Sequence, residues 1–187
     1  NGSITGRGLI DGPVVGASNA TISPNGSLTM GDIWSSNGYS VDGTLTVGGH
    51  LVTLGDYDGA GLGKLTTIAG GTLATNNSFT LSDGDILRGY GDVDGEIRVA
   101  VANGTSRIEV QDSGQAIDLT VGKPSSSYGF LYEGTLDVGA NTVNIESLST
   151  ALNSGTTTMA GGKIKAPQGY GLTVDWTGLG THHGTLT

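Results

Sequence analysis

Residues 87–97 read "LRGYGDVDGEI", and the chain writes the same phrase at 4–14, "ITGRGLIDGPV", and at 176–186, "WTGLGTHHGTL". All three follow apolar-x-Gly-x-Gly-x-x-x-Gly-x-apolar, with glycines at Gly6, Gly8 and Gly12, at Gly89, Gly91 and Gly95, and at Gly178, Gly180 and Gly184. A dinucleotide loop needs G-x-G-x-x-G between a strand and a helix, with an acidic residue some way beyond. Here the third glycine comes one residue late and no helical pattern follows. No Gly-Lys-Ser/Thr of a phosphate loop occurs anywhere. These glycines read as corners, where left-handed backbone angles and close approach of neighbouring chain are needed.

Similarity extends well beyond the phrase. "LTMGDIWSSNGYSVDGTLTVGGHLVTL" (28–54) lies over "LTVGKPSSSYGFLYEGTLDVGANTVNI" (119–145) at an offset of 91, and the ungapped match runs from 28–75 to 119–166. The interval between phrase and match is longer in the second copy, which places an insertion near 99–116. The chain therefore divides into repeats 3–84 and 86–175, each about 90 residues, and the opening of a third at 176–187. Within each copy, short period-two pairs recur, among them Leu45-x-Val47, Val52-x-Leu54, Leu136-x-Val138 and Val143-x-Ile145. Gly, Asn, Asp or Ser bounds each pair, which is the pattern of short strands and turns. Strands this short cannot bury an interior as isolated hairpins. Stacked as coils of about 20 residues, they can. The sequence predicts an all-β fold, a single-stranded β-helix (β-solenoid) running through 1–187 as one continuous body.

Composition agrees. The 187 residues include 35 glycines, with 35% apolar and only 5% aromatic residues, so the expected core is thin and aliphatic. Cysteine is absent, which removes disulfides and thiolate metal sites. A formal net charge of −9 with eight Lys and Arg leaves nothing to neutralise a run of phosphates, and nucleic acid is not an expected partner. No apolar run reaches membrane-spanning length, so membrane insertion is not expected either.

With its glycine phrase, and with units such as "GGTLATNNSFTLSDGD" (70–85) and "DGTLTVGGHLVTLGD" (42–56), the chain resembles the β-helical passenger regions of bacterial autotransporters and related secreted adhesins. That resemblance covers nearly the whole chain at the level of pattern. It implies a right-handed β-helix outside the cell or on its surface, serving adhesion or surface structure. No segment resembles the family's membrane barrel, nor its protease or lipase domains, so self-transport is not implied.

Carboxylates cluster in "GDYDGAG" (Asp56, Asp58), "SDGD" (Asp83, Asp85) and "GDVDGE" (Asp92, Asp94, Glu96). Paired carboxylates on rigid strands suit acid–base cleavage of polysaccharides, but Asp beside Gly is also ordinary turn chemistry. The turn reading is favoured, and the chain is expected to be no enzyme. Asp56, Asp58, Asp92 and Asp94 are weak candidates for a structural calcium ion, since the full spacing of a calcium loop is missing; no other cofactor is expected. Arg88, Arg98 and Arg107 form the one basic cluster, read as the solvent side of a strand. His50 falls at a turn opposite Asn141 of the second copy, and His182 and His183 stand where earlier phrases carry Ile10-Asp11 and Val93-Asp94. Glycosylation sequons begin at Asn1, Asn19, Asn25, Asn76 and Asn103. Threonine pairs such as "TLT" (44–46) suggest a hydroxyl ladder of the ice-binding kind, which the insertion would interrupt.

Neither end carries a capping pattern, and an uncapped coil is an edge that invites pairing. The expected function is a secreted structural or adhesive solenoid, a segment of an extracellular filament or adhesin whose partners are further copies joined head-to-tail or glycans at a cell surface. The alternative is a carbohydrate-binding or polysaccharide-cleaving β-helix, which would line exposed aromatic rings along consecutive coils.

Overall fold

The computed structural model describes residues 2–99, 105–110, 118–126, 129–147, 151–153, 155–165, 172–174 and 182–186. Among them there is no helix. Eighteen strands form one continuous parallel sheet wound into a β-solenoid of about seven turns. The first turn holds β1 (Ser3–Asp11) and β2 (Val14–Gly16), and the second β3 (Thr21–Asp32) and β4 (Tyr39–Val41). The next comprises β5 (Thr44–Gly48), β6 (Leu51–Asp56) and β7 (Ala60–Leu62). Two long bent strands follow, β8 (Leu65–Leu81) and β9 (Ile86–Val99). The second half repeats the scheme with β10 (Arg107–Val110), β11 (Asp118–Lys123), β12 (Phe130–Tyr132), β13 (Thr135–Gly139), β14 (Thr142–Ser147) and β15 (Ala151–Asn153). It ends in β16 (Thr156–Lys165), β17 (Leu172–Val174) and β18 (His182–Leu186).

Three sheet faces result. Face A carries β1, β5, β10 and β13, face B carries β6, β11 and β14, and face C carries β2, β4, β7 and β12; the long strands bend across more than one face. Period-two alternation sends every second side chain inward, where it meets its counterpart in the next coil. On face A the inward column runs Ile4, Ile22, Leu45, Thr66, Leu87, Ile108, Leu136 and Thr157. Face C stacks Tyr39 next to Ala60 and Ala60 next to Phe79, so a small residue separates two rings. Burial also pushes the Tyr39 phenol well above its usual range. Each Leu, Val or Ile taken from water in this way contributes about 1.5–3 kcal/mol.

The 91-residue repeat is an architectural one. Leu45 and Leu136, Val47 and Val138, Val52 and Val143, and Leu54 and Ile145 are all buried. Thr72 pairs upward from the turn at His50, and Lys163 does the same from the turn at Asn141. The coil-to-coil step is 21 at Ile86↔Arg107 but 28 at Gly91↔Leu119. The equivalent steps in the first copy are 18 at Ser3↔Thr21 and 20 at Gly8↔Leu28, so the expected insertion adds length on both sides of β10.

The glycine phrase turns the corner between faces A and B. Gly89 and Gly91 have φ of +124° and +122°, and a Cβ on Gly89 would run into the Ile68 carbonyl oxygen of the coil before it. Only glycine tolerates both demands. One expectation needs correction. β18 pairs Lys163 with Thr185 and Ile164 with Leu186, so Leu186 takes the place that Val93 holds opposite Leu73. The histidines lie earlier, with His182 opposite Met159. This register keeps an apolar residue in line with Ile164.

Thr66 is fully buried in an aliphatic column and its hydroxyl has no partner. A buried hydroxyl without a hydrogen bond costs about 1–3 kcal/mol. Thr66→Val keeps the shape and removes that cost, so thermal unfolding should shift upward by about 2–4 °C per kcal/mol recovered. A melting temperature at or below that of the parent chain would contradict this account.

Candidate functional site

The corner between faces B and C gathers three of the six exposed large hydrophobic side chains among the described residues, and one buried carboxylate. Asp56 ends β6 and is only 1% exposed. Its Oδ2 accepts a hydrogen bond from the Tyr39 amide at 2.9 Å, and its Oδ1 accepts from the amides of Asp58 at 2.9 Å and Gly59 at 3.0 Å. One side chain thus shapes its own turn and ties it to the preceding coil. In the second copy Ser147 stands in the same place, accepting from the Gly129 amide at 3.1 Å and donating to the Ser126 carbonyl at 3.2 Å. Asp56 is a structural acceptor whose oxygens are committed to backbone.

From this corner Trp34 and Tyr57 project on adjacent coils, with Ile33 beside them; the three are 83%, 61% and 44% exposed. The Tyr57 amide donates to the Ser35 carbonyl at 3.0 Å, Asn77 Nδ2 donates to the Tyr57 carbonyl, and the Trp34 amide donates to Asp32 Oδ1 at 2.9 Å. The backbone carrying both rings is therefore pinned from above and below. The other tyrosines behave differently. Tyr39 and Tyr132 are buried, the latter's phenol pushed up to about 12 chiefly by desolvation, and Tyr90 is half-buried. Tyr128, Tyr170 and Trp176 lie outside the described residues.

Face B carries a second feature. Asp92 and Asp94 sit within β9, not in a turn, because Val93 between them is the inward residue. Across the coils Asp94 is in line with Gly122, and Gly122 with Glu146. Beside this line lies a recess of about 270 Å³ lined by Thr72, Asp92, Val93, Asp94, Thr120 and Glu146. Desolvation first, and then the charges of Asp92 and Asp94, raise the Glu146 carboxyl above its ordinary 4.5. Glu146 was not singled out by sequence, since "NIES" holds no pairing signal; only the coil register brings it to Asp94.

The remaining carboxylates are engaged locally. Asp83 accepts from the Thr105 amide at 3.0 Å and from its hydroxyl, which lowers its carboxyl's pKa. Asp85 accepts from the Ser82 amide at 2.7 Å, while burial raises its carboxyl. Glu96 pairs with Arg98 at 2.5 Å and accepts from Ser126. The basic cluster separates. Arg88 and Arg107 both reach Glu109 on face A, at 2.7 and 3.0 Å, whereas Arg98 pairs on face C. Among the described residues no three Asp, Glu or His side chains converge closely enough to hold a metal ion. Asn19, Asn25 and Asn76 are exposed, while Asn1 and Asn103 lie outside the described residues. The threonine ladder is short: its outward row reads Ser3, Thr21 and Thr44, then Leu65, Ile86 and Arg107. Among the described residues no helix is long and apolar enough to cross a membrane.

No protein-family model, curated protein or solved structure matches the chain.

Asp56→Ala strands three backbone amides and should cost about 3 kcal/mol in denaturant unfolding, whereas Asp56→Ser, borrowing the second copy's solution, should cost less. Equal losses for the two would refute the acceptor role. Glu146 tests the acidic recess. A carboxyl whose folded value is raised loses stability as pH rises through the interval between its unfolded and folded values. Glu146→Gln should therefore raise the melting temperature at pH 7, with the gain vanishing below about pH 4. A gain that persists in acid would indicate packing instead of charge.

Proposed function

We propose that the chain is a rigid structural and adhesive segment of an extracellular filament or surface adhesin, whose coils add head-to-tail to those of further copies. The observation that carries the assembly part is the first turn. β1 pairs with β3 on one side. The Gly2 carbonyl points to that side, accepting from the Thr21 amide at 3.0 Å. Backbone groups alternate along a strand, so Ser3 and Thr5 direct theirs the other way. Beside this edge a cavity of about 380 Å³ is lined by Ile4, Val14, Ala20, Ile22 and Val41. Such an edge, apolar within and ready to hydrogen-bond along its rim, fits another coil of the same cross-section, whether that coil belongs to a longer chain or to a further copy. The uniform interior column supports the mechanical part of the reading, because each coil is held along the axis by a full row of parallel ladder bonds.

The alternative, a carbohydrate-binding solenoid, draws on the exposed rings at the B–C corner.

Negative-stain electron microscopy over a concentration series tests assembly directly. The parent chain should form fibres of uniform width. Thr5→Pro removes an outward amide without touching the pairing to β3, a change edge strands tolerate, and should leave short rods. A parent chain that stays monomeric at high concentration would defeat the head-to-tail reading.

A further inference from the structure

We infer that Trp34 and Tyr57 form a binding platform for a neutral glycan chain. The first ground is exposure. Tryptophan is on average a highly buried residue, yet Trp34 is 83% exposed and Tyr57 61% exposed on the coil next to it. Among the described residues the recorded ring–ring contact is Phe130 with Tyr132 in the core, and neither Trp34 nor Tyr57 packs on another ring.

The second ground is an internal control. The 91-residue repeat builds the same turn twice: the Ser35 amide donates to the Asp32 carbonyl at 3.2 Å, and the Ser126 amide to the Lys123 carbonyl at 3.0 Å. At the position of Trp34 the second copy has Ser125. The turn hydrogen bond therefore forms with Pro124-Ser125 in place of Ile33-Trp34, and it does not call for an indole. A large ring held outside a turn that does not need it leaves contact with another molecule as its physical use.

The third ground is the chemistry around the rings. Adjacent coils stand about 4.8 Å apart, a spacing comparable to the length of one pyranose unit. Two rings one coil apart can each take the C–H face of a sugar, since aromatic faces are electron-rich and pyranose C–H groups electron-poor. Asp58 and Asn37, both exposed, supply polar groups at the rim for hydroxyls. The carboxylates and the formal charge of −9 repel anionic polysaccharides, which favours a neutral chain over an acidic one. The backbone of the site is preorganised, because Asp56 and the Tyr57–Ser35 hydrogen bond fix it before any ligand arrives.

This inference deepens the adhesive part of the reading above and does not depend on assembly. The test is a titration of Trp34 fluorescence in a Trp176→Phe background with neutral hexasaccharides, β-1,4-glucose and β-1,4-N-acetylglucosamine among them. Oligogalacturonate and tetramethylammonium serve as contrasts. A saturable change with at least one neutral probe is expected, with Kd of about 0.1–1 mM. Trp34→Ser, read by calorimetry because it removes the reporter, should weaken binding at least about tenfold. Its melting temperature and its fibres by microscopy should be unchanged. Tyr57→Ala should weaken binding by a smaller factor. Absence of binding to every neutral probe, equal binding by Trp34→Ser, or a preference for oligogalacturonate or tetramethylammonium would each overturn the inference. Loss of fibres in Trp34→Ser would do so too, by assigning the ring to contact between copies. Fibre growth without glycan binding would remove the platform and leave the assembly reading standing.

Discussion

Every part of this molecule answers to one constraint: a side chain pointing inward has its principal neighbours one coil above and one coil below. The coil is narrow, and each face contributes only two or three inward positions. The parallel ladder fixes neighbours about 4.8 Å apart, so an inward residue must match the column it stands in, not merely be apolar. Tyr39 is accommodated because its neighbour is Ala60, and Ala60 leaves no void because the next residue is Phe79. Burial without room for adjustment makes the core close to a jigsaw. Thr66 is an exception, as is Ser78, and the unpartnered Thr66 hydroxyl is the cost of a column that is filled in shape but not in polarity.

Corners follow from the same geometry. Changing face within one or two residues brings the backbone of one coil against that of the next, and this is where glycine is compulsory. The phrase at 87–97 could be read without a structure because its glycines have no other economical use. The alternating pairs could be read too, since period two in runs of a few residues has a single meaning. The offset of 91 carried further information, because it identified which inward residues would be equivalent. Those pairs, from Leu45 with Leu136 to Leu54 with Ile145, are indeed all buried.

The surface was less legible, for a physical reason. Residues meet there by coil register, at separations of 18 to 28 or more, and a single sequence carries no signal for which outward residue lies over which. Asp94 and Glu146 come into line only because Gly122 lies between them. Arg88 and Arg107 share Glu109 because their separation is close to one coil, while Arg98, nearer to Arg88 in sequence, is on another face. The reading of Asp-Gly as turn chemistry held for Asp56 and Asp85 and failed for Asp92 and Asp94. In the latter case the alternation imposed by Val93 outweighed the turn propensity of the neighbouring glycine.

A repeat built twice in one chain separates what folding requires from what it merely permits. Where the two copies agree, as with Val52 and Val143, the column dictates the choice. Where they differ but do the same work, as with Asp56 and Ser147, the demand is for an acceptor and the residue type is secondary. Where they differ and the same turn hydrogen bond still forms, as with Trp34 and Ser125, that bond does not call for the ring, which is the ground on which an outside partner is inferred. Exposure alone would not support that step, since single apolar residues on a surface are common. Exposure at a turn whose own duplicate closes without the ring does support it, and this makes the B–C corner the place where the function of this solenoid is most open to experiment.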